Sequence, residues 1–175
     1  MRLYVVRHGE TTYNVENRIC GISNVELTDK GRKQAFEAGK KLKDIHFDHV
    51  YVSPLKRAID TANLLTKGQY SFHIDKRIEE INFGIFEGMP RDTKAFQETK
   101  YHLGMRYVQG ETFLEVIHRV YSFLDEIKES DDENVLIVCH GGIIRAIHSY
   151  FYDMSNDDFY HFTTENCAIL EYVLK

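Results

Sequence analysis

The chain predicts an α/β fold, a three-layer α/β/α sandwich around a mainly parallel sheet. Three observations predict it. Short apolar runs alternate with stretches of helical periodicity along the 175 residues. Two of the runs, RLYVV at residues 2–6 and NVLIVC at residues 134–139, are continuous rather than alternating, as in strands buried on both faces. Only two prolines occur, and no repeat, low-complexity tract or Pro/Gly/Ser-rich linker divides the chain. The length therefore fits one domain, residues 1–175, with a single sizeable core.

Each element has its own signal. Residues 2–6 form the first strand. Thr28 opens a helix as its N-cap, with Asp29 in the first turn, and Ala35, Ala38 and Leu42 share one face to about residue 43. HVYVS at 49–53 is a second strand. Ser53-Pro54 predicts a helix start, Ser as N-cap and Pro at the first helical position, with Ala58, Ile59, Ala62 and Leu65 following at helical spacing. YSFHI at 70–74 is a third strand. Residues 77–110 are irregular, with Gly84, Gly88, Pro90, Gly104 and Gly110 and one short helix at about 93–102. A long excursion of this kind commonly carries function, and a cap or lid is expected there. Phe113, Ile117, Val120, Leu124 and Ile127 mark an amphipathic helix. NVLIVC is a buried strand, residues 143–151 a helix, and NCAILEYVL at 166–174 a closing strand whose edge is open to pairing, so monomer and homodimer are both compatible.

Composition excludes several classes. Hydrophobic content of 43% argues against disorder, and a net charge of -5 without a basic face argues against nucleic acid as a partner. No apolar run approaches the ~18 residues that cross a bilayer, and the N-terminal run is too short for a signal peptide. Cys20, Cys139 and Cys167 show no CxxC spacing. A reduced, cytoplasmic protein without membrane attachment is the expectation. An acidic total still permits an anionic ligand, because a local cluster of arginines suffices to attract one.

In parallel α/β sheets, ligands bind beyond the carboxyl ends of the strands. His8 stands just past the first strand and His140 just past NVLIVC. If those strands are neighbours, both imidazoles face one crevice. Arg7 joins them, and Gly9 is expected to let backbone N–H groups approach a ligand. Arg57 lies early in its helix, where side chains lean toward the N-terminus and so toward the crevice. Gly141-Gly142 leads into a helix whose N-terminus favours anions. Two arginines, two histidines and free N–H groups make a site of phosphate size. A neutral histidine is a competent nucleophile, and attack on phosphorus splits one hard displacement into two easier ones. Glu80 is the best carboxyl candidate for proton transfer, with Glu79 and Glu87 behind it. His46, His49, His73, His102, His118, His148 and His161 read as surface or structural residues, and Cys139 as a packing residue pointing away from the His140 side. No HExxH motif occurs, no carboxylates cluster near His8 or His140, and arginines would repel a cation, so a metal hydrolase is disfavoured.

RHGETTYN, NRICG with LTDKGRKQA, SPLKRAIDTA, EINFGIFEG, GET at 110–112 and VCHGGIIRA fall in one order along most of the chain. In this the sequence resembles the histidine phosphatase superfamily, which includes the phosphoglycerate mutases. The resemblance implies a phosphoglycerate mutase-like sandwich, phosphorylation of His8, and a phosphoryl clamp of Arg7, Arg57 and His140. It places Asn14 and the Gly141 N–H at the pocket, makes Glu80 the proton donor, and sets Glu10, Thr11, Arg18, Gly21 and Ile22 along a substrate-facing loop. It implies no metal and no other cofactor, and a small phosphorylated metabolite as partner.

Within the family, hydrolysis of small phosphomonoesters is expected, as in the α-ribazole phosphatase-like members. Mutases of the cofactor-dependent type are longer, carry a basic helical insertion, and usually have Gly-Asn-Ser where this chain has Gly141-Gly142-Ile143. The segment from Glu80 to Gly110 lacks their adjacent arginines, although Arg91, Lys94 and Arg106 remain available as contacts. Protein phosphohistidine phosphatases generally lack the proton donor that Glu80 matches. A binding or signalling module using the same pocket without turnover is the non-enzymatic alternative. Tyr101, Tyr107, Phe83 and Phe86 stand equally as an apolar wall or as packing.

Overall fold

Alternate side chains of the first strand enter two different cores. In β1 (Arg2–Arg7), Leu3 and Val5 pack on one face of the sheet while Tyr4 and Val6 pack on the other. β4 (Asn134–Cys139) does the same, with Val135, Ile137 and Cys139 opposite Leu136 and Val138. That is why both strands read as unbroken apolar runs. Cys139 is buried in the core, as its alternation requires.

The computed structural model describes residues 1–175. The sheet has five strands in the order β3-β2-β4-β1-β5, with β2 at His49–Val52, β3 at His73–Ile74 and β5 at Ile169–Val173. β1 runs parallel to β4, with Arg2 opposite Asn134 and Arg7 opposite Cys139. β2 is parallel to both β4 and β3, and β5 closes one edge antiparallel to β1. In chain order the helices are α1 (Thr12–Val15), α2 (Asp29–Lys41), α3 (Lys56–Thr66), α4 (Lys94–Lys100), α5 (Phe113–Ile127), α6 (Gly141–Phe151) and α7 (Asn156–His161). α2 and α3 cover one face, with Ala38, Ala58, Ala62 and Leu65 in its core; α5 and α6 cover the other. The expected sandwich is present. No helix is long and apolar enough to cross a membrane.

Helix starts follow local chemistry where a side chain is free to cap. Thr28 accepts from the Gly31 N–H at α2, and Thr112 with Glu115 forms a capping box at α5. Two short helices escaped the sequence reading. α1 carries a capping box between Thr11 and Asn14, and α7 a cap in which Ser155 accepts from the Asp158 N–H. At Ser53-Pro54 the expectation is corrected. α3 begins at Lys56 with Leu55 as its N-cap, whose apolar side chain makes no bond, and the Ser53 hydroxyl accepts from the Leu55 N–H while lying against His140. α6 begins at Gly141 rather than residue 143, with His140 as its N-cap. β3 is also shorter than residues 70–74, because Tyr70 and Phe72 turn onto the α2/α3 core while their backbone leaves the sheet.

The excursion between β3 and α5 contains two 3-10 turns (Lys76–Ile78 and Gly84–Phe86) and α4. It is anchored by aromatic packing. Phe86, Phe96 and Tyr107 belong to the same core as α5 and α6, with the Phe83 and Tyr107 rings 4.9 Å apart. Gly88 N–H donates to the Ile19 carbonyl at 2.8 Å and Ile19 N–H to that of Met89 at 2.8 Å, tying the excursion to the loop after α1.

Candidate active site

Because Arg7 and Cys139 are register partners, the residues after them emerge side by side at the carboxyl edge of the sheet. The His8 and His140 rings lie 5.2 Å apart, centroid to centroid, and both are buried. Each imidazole is held at one nitrogen. His8 Nδ1 lies 2.7 Å from the Gly9 carbonyl. A carbonyl only accepts, so Nδ1 carries the proton and Nε2 keeps its lone pair. His140 Nε2 lies 2.6 Å from Ser53 Oγ, and that hydroxyl already accepts from the Leu55 N–H at 3.3 Å. Ser53 is thus free to donate to Nε2, which leaves the proton of His140 on Nδ1. Burial, followed by the Arg57 cation, pushes both histidines well below their ordinary pKa, and both are neutral at physiological pH.

Arg57 is 1% exposed. Its Nη2 donates to the Gly21 carbonyl at 2.6 Å and its Nη1 to that of Ser23 at 2.8 Å. Those carbonyls are set by Glu87. Its carboxylate accepts from the Gly21, Ile22, Ser23 and Phe83 N–H groups at 3.0 to 3.3 Å and from the Ser23 hydroxyl at 2.6 Å. Gly21 and Ile22 therefore act in this structure through the brace on Arg57, with their N–H groups committed to Glu87. Arg7 donates through Nη1 to the Thr164 carbonyl, and burial lowers its pKa against the opposing effect of Glu80. Gly9 does not turn its N–H toward the crevice: that group donates to Thr61 Oγ1 at 3.0 Å. Glycine is required there for packing, since a Cβ would lie 2.5 Å from the Gly31 carbonyl oxygen of α2.

Four buried side-chain polar atoms lack a partner, and three of them belong to this cluster: Arg7 Nε, Arg57 Nε and His140 Nδ1. Buried donors are ordinarily paired, and leaving one bare costs ~1–3 kcal/mol. Three bare donors on Arg7, Arg57 and His140 are matched by a ligand that only accepts. The N-terminus of α6 adds to this at Gly141, since its N-cap His140 makes no side-chain cap bond and Glu80 takes the Gly142 N–H.

The cavity in front of His8 measures about 100 Å³. Arg7, His8, Asn14, Glu80 and Gly141 line it, whereas Arg57 and His140 are not among its lining residues. Asn14 is oriented by the Thr11 N–H at 3.0 Å and by Asn166, which also donates to the His8 carbonyl at 3.0 Å. Glu80 is 7% exposed and accepts from the Gly142 N–H at 3.1 Å and the Ile81 N–H at 3.0 Å. Its neighbour Glu79 lies in a separate groove with Lys76 and Arg119. Phe83 and Tyr107 form part of the apolar wall, whereas Phe86 is core and Tyr101 packs against Tyr160. Of the three basic residues left open, only Arg91 lines the cavity; Lys94 faces Glu98 and Arg106 pairs with Glu115. Glu10 is bound by Thr28 and Lys30, and Arg18 by Glu16, all outside the cavity. No three His, Cys, Asp or Glu side chains come together as metal ligands.

Sequence reasoning missed Ser53 as a partner of His140. It also missed Cys20, Phe96, Lys100, Phe113 and Arg145 on the cavity wall. Arg145 was within reach, since it stands four residues after Gly141 on the same helix face.

The family model for the histidine phosphatase superfamily (branch 1) matches residues 3–175. Among solved structures, the α-ribazole phosphatase of Shigella flexneri superposes with a TM-score of 0.86 at 30% identity, over 98% of this chain and 89% of that one. A mycobacterial glucosyl-3-phosphoglycerate phosphatase superposes with a TM-score of 0.84 at 26% identity, over 97% and 88%. The 2,3-bisphosphoglycerate-dependent phosphoglycerate mutase of Cytophaga hutchinsonii is 33% identical over 91% of this chain and 81% of its own length.

Proposed function

From the premise that the chain belongs to the histidine phosphatase superfamily (branch 1), we propose that it hydrolyses a small phosphomonoester through a phosphohistidine on His8, without a metal ion. The observation that carries this reading is the set of three unpartnered donors, Arg7 Nε, Arg57 Nε and His140 Nδ1, around an imidazole whose Nε2 is unprotonated.

In this mechanism the phosphoryl oxygens accept from the two guanidinium groups, His140 and the amino end of α6. Developing negative charge then falls on fixed donors that need no reorganisation. His8 Nε2 attacks phosphorus as the ester P–O bond breaks, and Glu80 gives its proton to the leaving oxygen. Glu80 then takes a proton from water, which attacks the phosphohistidine, frees inorganic phosphate and restores His8. The α-ribazole phosphatase and the glucosyl-3-phosphoglycerate phosphatase among the structural neighbours support hydrolysis. The mutase relative supports the second reading, in which the phosphoryl group returns to the substrate rather than to water.

Phosphate release across a panel of phosphorylated metabolites, run beside a mutase assay with 2,3-bisphosphoglycerate, tests the proposal. Hydrolysis should dominate, Glu80→Gln should lower it by ~10²-fold or more, and alkaline quenching should trap phosphate on the wild type but not on His8→Ala. Turnover surviving in His8→Ala would overturn the mechanism. Mutase turnover with negligible hydrolysis would select the second reading.

A further inference from the structure

We propose that Arg119 is a positioning residue for Glu80: paired with Glu111, it clamps the irregular segment that carries Glu80 and so sets the carboxyl at the leaving oxygen. This rests on the proton-donor role given to Glu80 above and adds the support that role requires.

Glu80 needs support from outside its own segment. Residues 79–83 lie between the 3-10 turns Lys76–Ile78 and Gly84–Phe86 and belong to neither helix nor strand. A reacting group displaced by about 1 Å can lose ~10²-fold in rate. The Glu80 carboxyl itself accepts only from the Ile81 and Gly142 N–H groups. Its backbone is held from α5. Arg119 Nη1 donates to the Arg77 carbonyl at 2.6 Å and Nη2 to that of Glu80 at 3.4 Å. Nε and Nη2 also reach the two carboxylate oxygens of Glu111, at 3.1 and 3.2 Å. Glu111 closes the bracket beyond Glu80: its Oε2 accepts from the Asn82 N–H at 2.9 Å, and its own N–H donates to the Asn82 carbonyl at 2.9 Å. One ion pair thus ties the carbonyls of residues 77 and 80 and both backbone groups of residue 82.

This pair differs from an ordinary surface ion pair. Its side chains are 18% and 27% exposed, and all three guanidinium nitrogens donate to the segment or to Glu111. Exposed pairs that only face each other contribute little. A planar fork spanning a carboxylate and two carbonyls fixes geometry as well. Arg119 lines the groove with Lys76 and Glu79 rather than the cavity in front of His8, so it reaches the reaction through Glu80 and not through substrate. The stretch Gly110-Glu111-Thr112 is shaped for this clamp. A Cβ at Gly110 would lie 2.2 Å from the Asn82 carbonyl oxygen, so glycine lets the two segments touch. Glu111 supplies the carboxylate. Thr112 caps α5, which delivers Arg119 seven residues later, about two turns along the helix.

The test follows turnover of glycerol 3-phosphate and p-nitrophenyl phosphate, with affinity for inorganic phosphate, in the wild type, Arg119→Gln, Glu80→Gln and the double variant. The glycerol alkoxide needs a proton to leave, and p-nitrophenolate needs little. Arg119→Gln should lower kcat for glycerol 3-phosphate by roughly tenfold and affect p-nitrophenyl phosphate much less. Phosphate affinity should hold, which also reports a folded clamp. Because Arg119 acts through Glu80, the double variant should be no slower than Glu80→Gln alone. Arg119→Lys keeps the charge beside Glu111, and with it the fold, but an ammonium does not span the carboxylate and both carbonyls at once. It should retain most of the selective loss. An equal loss for both esters, or a double variant slowed by the product of the single effects, would overturn the positioning role and leave Glu80 as donor. The absence of any selective loss in Glu80→Gln would overturn the donor role itself, and this inference with it.

Discussion

Ser53 Oγ and His140 Nε2 are 2.6 Å apart and fully buried, joining the end of β2 to the end of β4. The serine fixes which nitrogen of His140 carries the proton, and so whether that ring donates to a phosphoryl oxygen. Ser53→Ala leaves Nε2 without a partner and lets the other tautomer compete. A lost buried hydrogen bond of ~1–3 kcal/mol, if expressed in the transition state, corresponds to about 5- to 150-fold in kcat/KM. Steady-state kinetics beside urea denaturation separates the two effects, and Ser53→Thr should recover much of the activity. Unchanged kcat/KM in Ser53→Ala would remove the positioning role.

Glu87 is a second positioning residue, acting on Arg57 through the carbonyls of Gly21 and Ser23. Glu87→Gln keeps the shape, but its amide NH₂ must face N–H groups that need an acceptor. Each unmet buried donor costs ~1–3 kcal/mol. Both the melting temperature and the affinity for inorganic phosphate should fall, the latter by roughly tenfold. Thermal melts with and without phosphate check this. A lower melting temperature with unchanged phosphate affinity would confine Glu87 to folding.

The two buried histidines make stability depend on pH. Their pKa values are lowered in the folded state, so below about 6.5 the unfolded chain binds protons that the native state refuses. The stability they leave intact above that value is lost as pH falls toward the folded pKa. The slope reaches ~1.4 kcal/mol per pH unit for each histidine. Urea titrations at pH 7.5, 6.0 and 5.0 should show the decline, and His8→Gln should remove about half of it. The same shift keeps His8 unprotonated, so the acid limb of kcat/KM should lie below pH 6.5.

What was legible in the sequence followed from local rules that tertiary structure did not override. Continuous apolar runs marked β1 and β4, and once those strands are neighbours the chemistry at their ends is fixed. At Ser53 the local rule misplaced the helix start by two residues: its hydroxyl accepts from the Leu55 N–H before α3 and lies 2.6 Å from an imidazole 87 positions away. Lys100 was not legible, and Arg91 only as one of three basic contacts left open, for another reason. Their placement depends on how residues 75–112 are folded back by Phe83, Phe96 and Tyr107, a set of long-range contacts without periodicity. Gly9 was expected to bring backbone N–H groups to a ligand, yet the close approach it permits is to Gly31 of α2.

Gly142 gives a test that separates the proposed proton transfer from the proposed phosphate binding. A Cβ at this position would lie 2.4 Å from Glu80 Oε1, whereas one at Gly141 would meet nothing nearer than Arg7 Nε at 3.7 Å. Alanine is favoured over glycine by ~1 kcal/mol within a helix, so Gly142→Ala should fold, at the expense of moving the Glu80 carboxyl. The phosphoryl clamp does not depend on Glu80, and affinity for inorganic phosphate should hold. Turnover should fall by roughly 10- to 100-fold for alkyl phosphates, up to the ~10²-fold that a general acid contributes. It should fall much less for p-nitrophenyl phosphate, whose leaving group needs little protonation. Gly141→Ala, with its open Cβ position, should show a far smaller effect of leaving group. Kinetics across leaving groups of graded acidity decides the point: a uniform loss for all of them would place the effect of Gly142 on phosphoryl binding and take the proton-donor role away from Glu80.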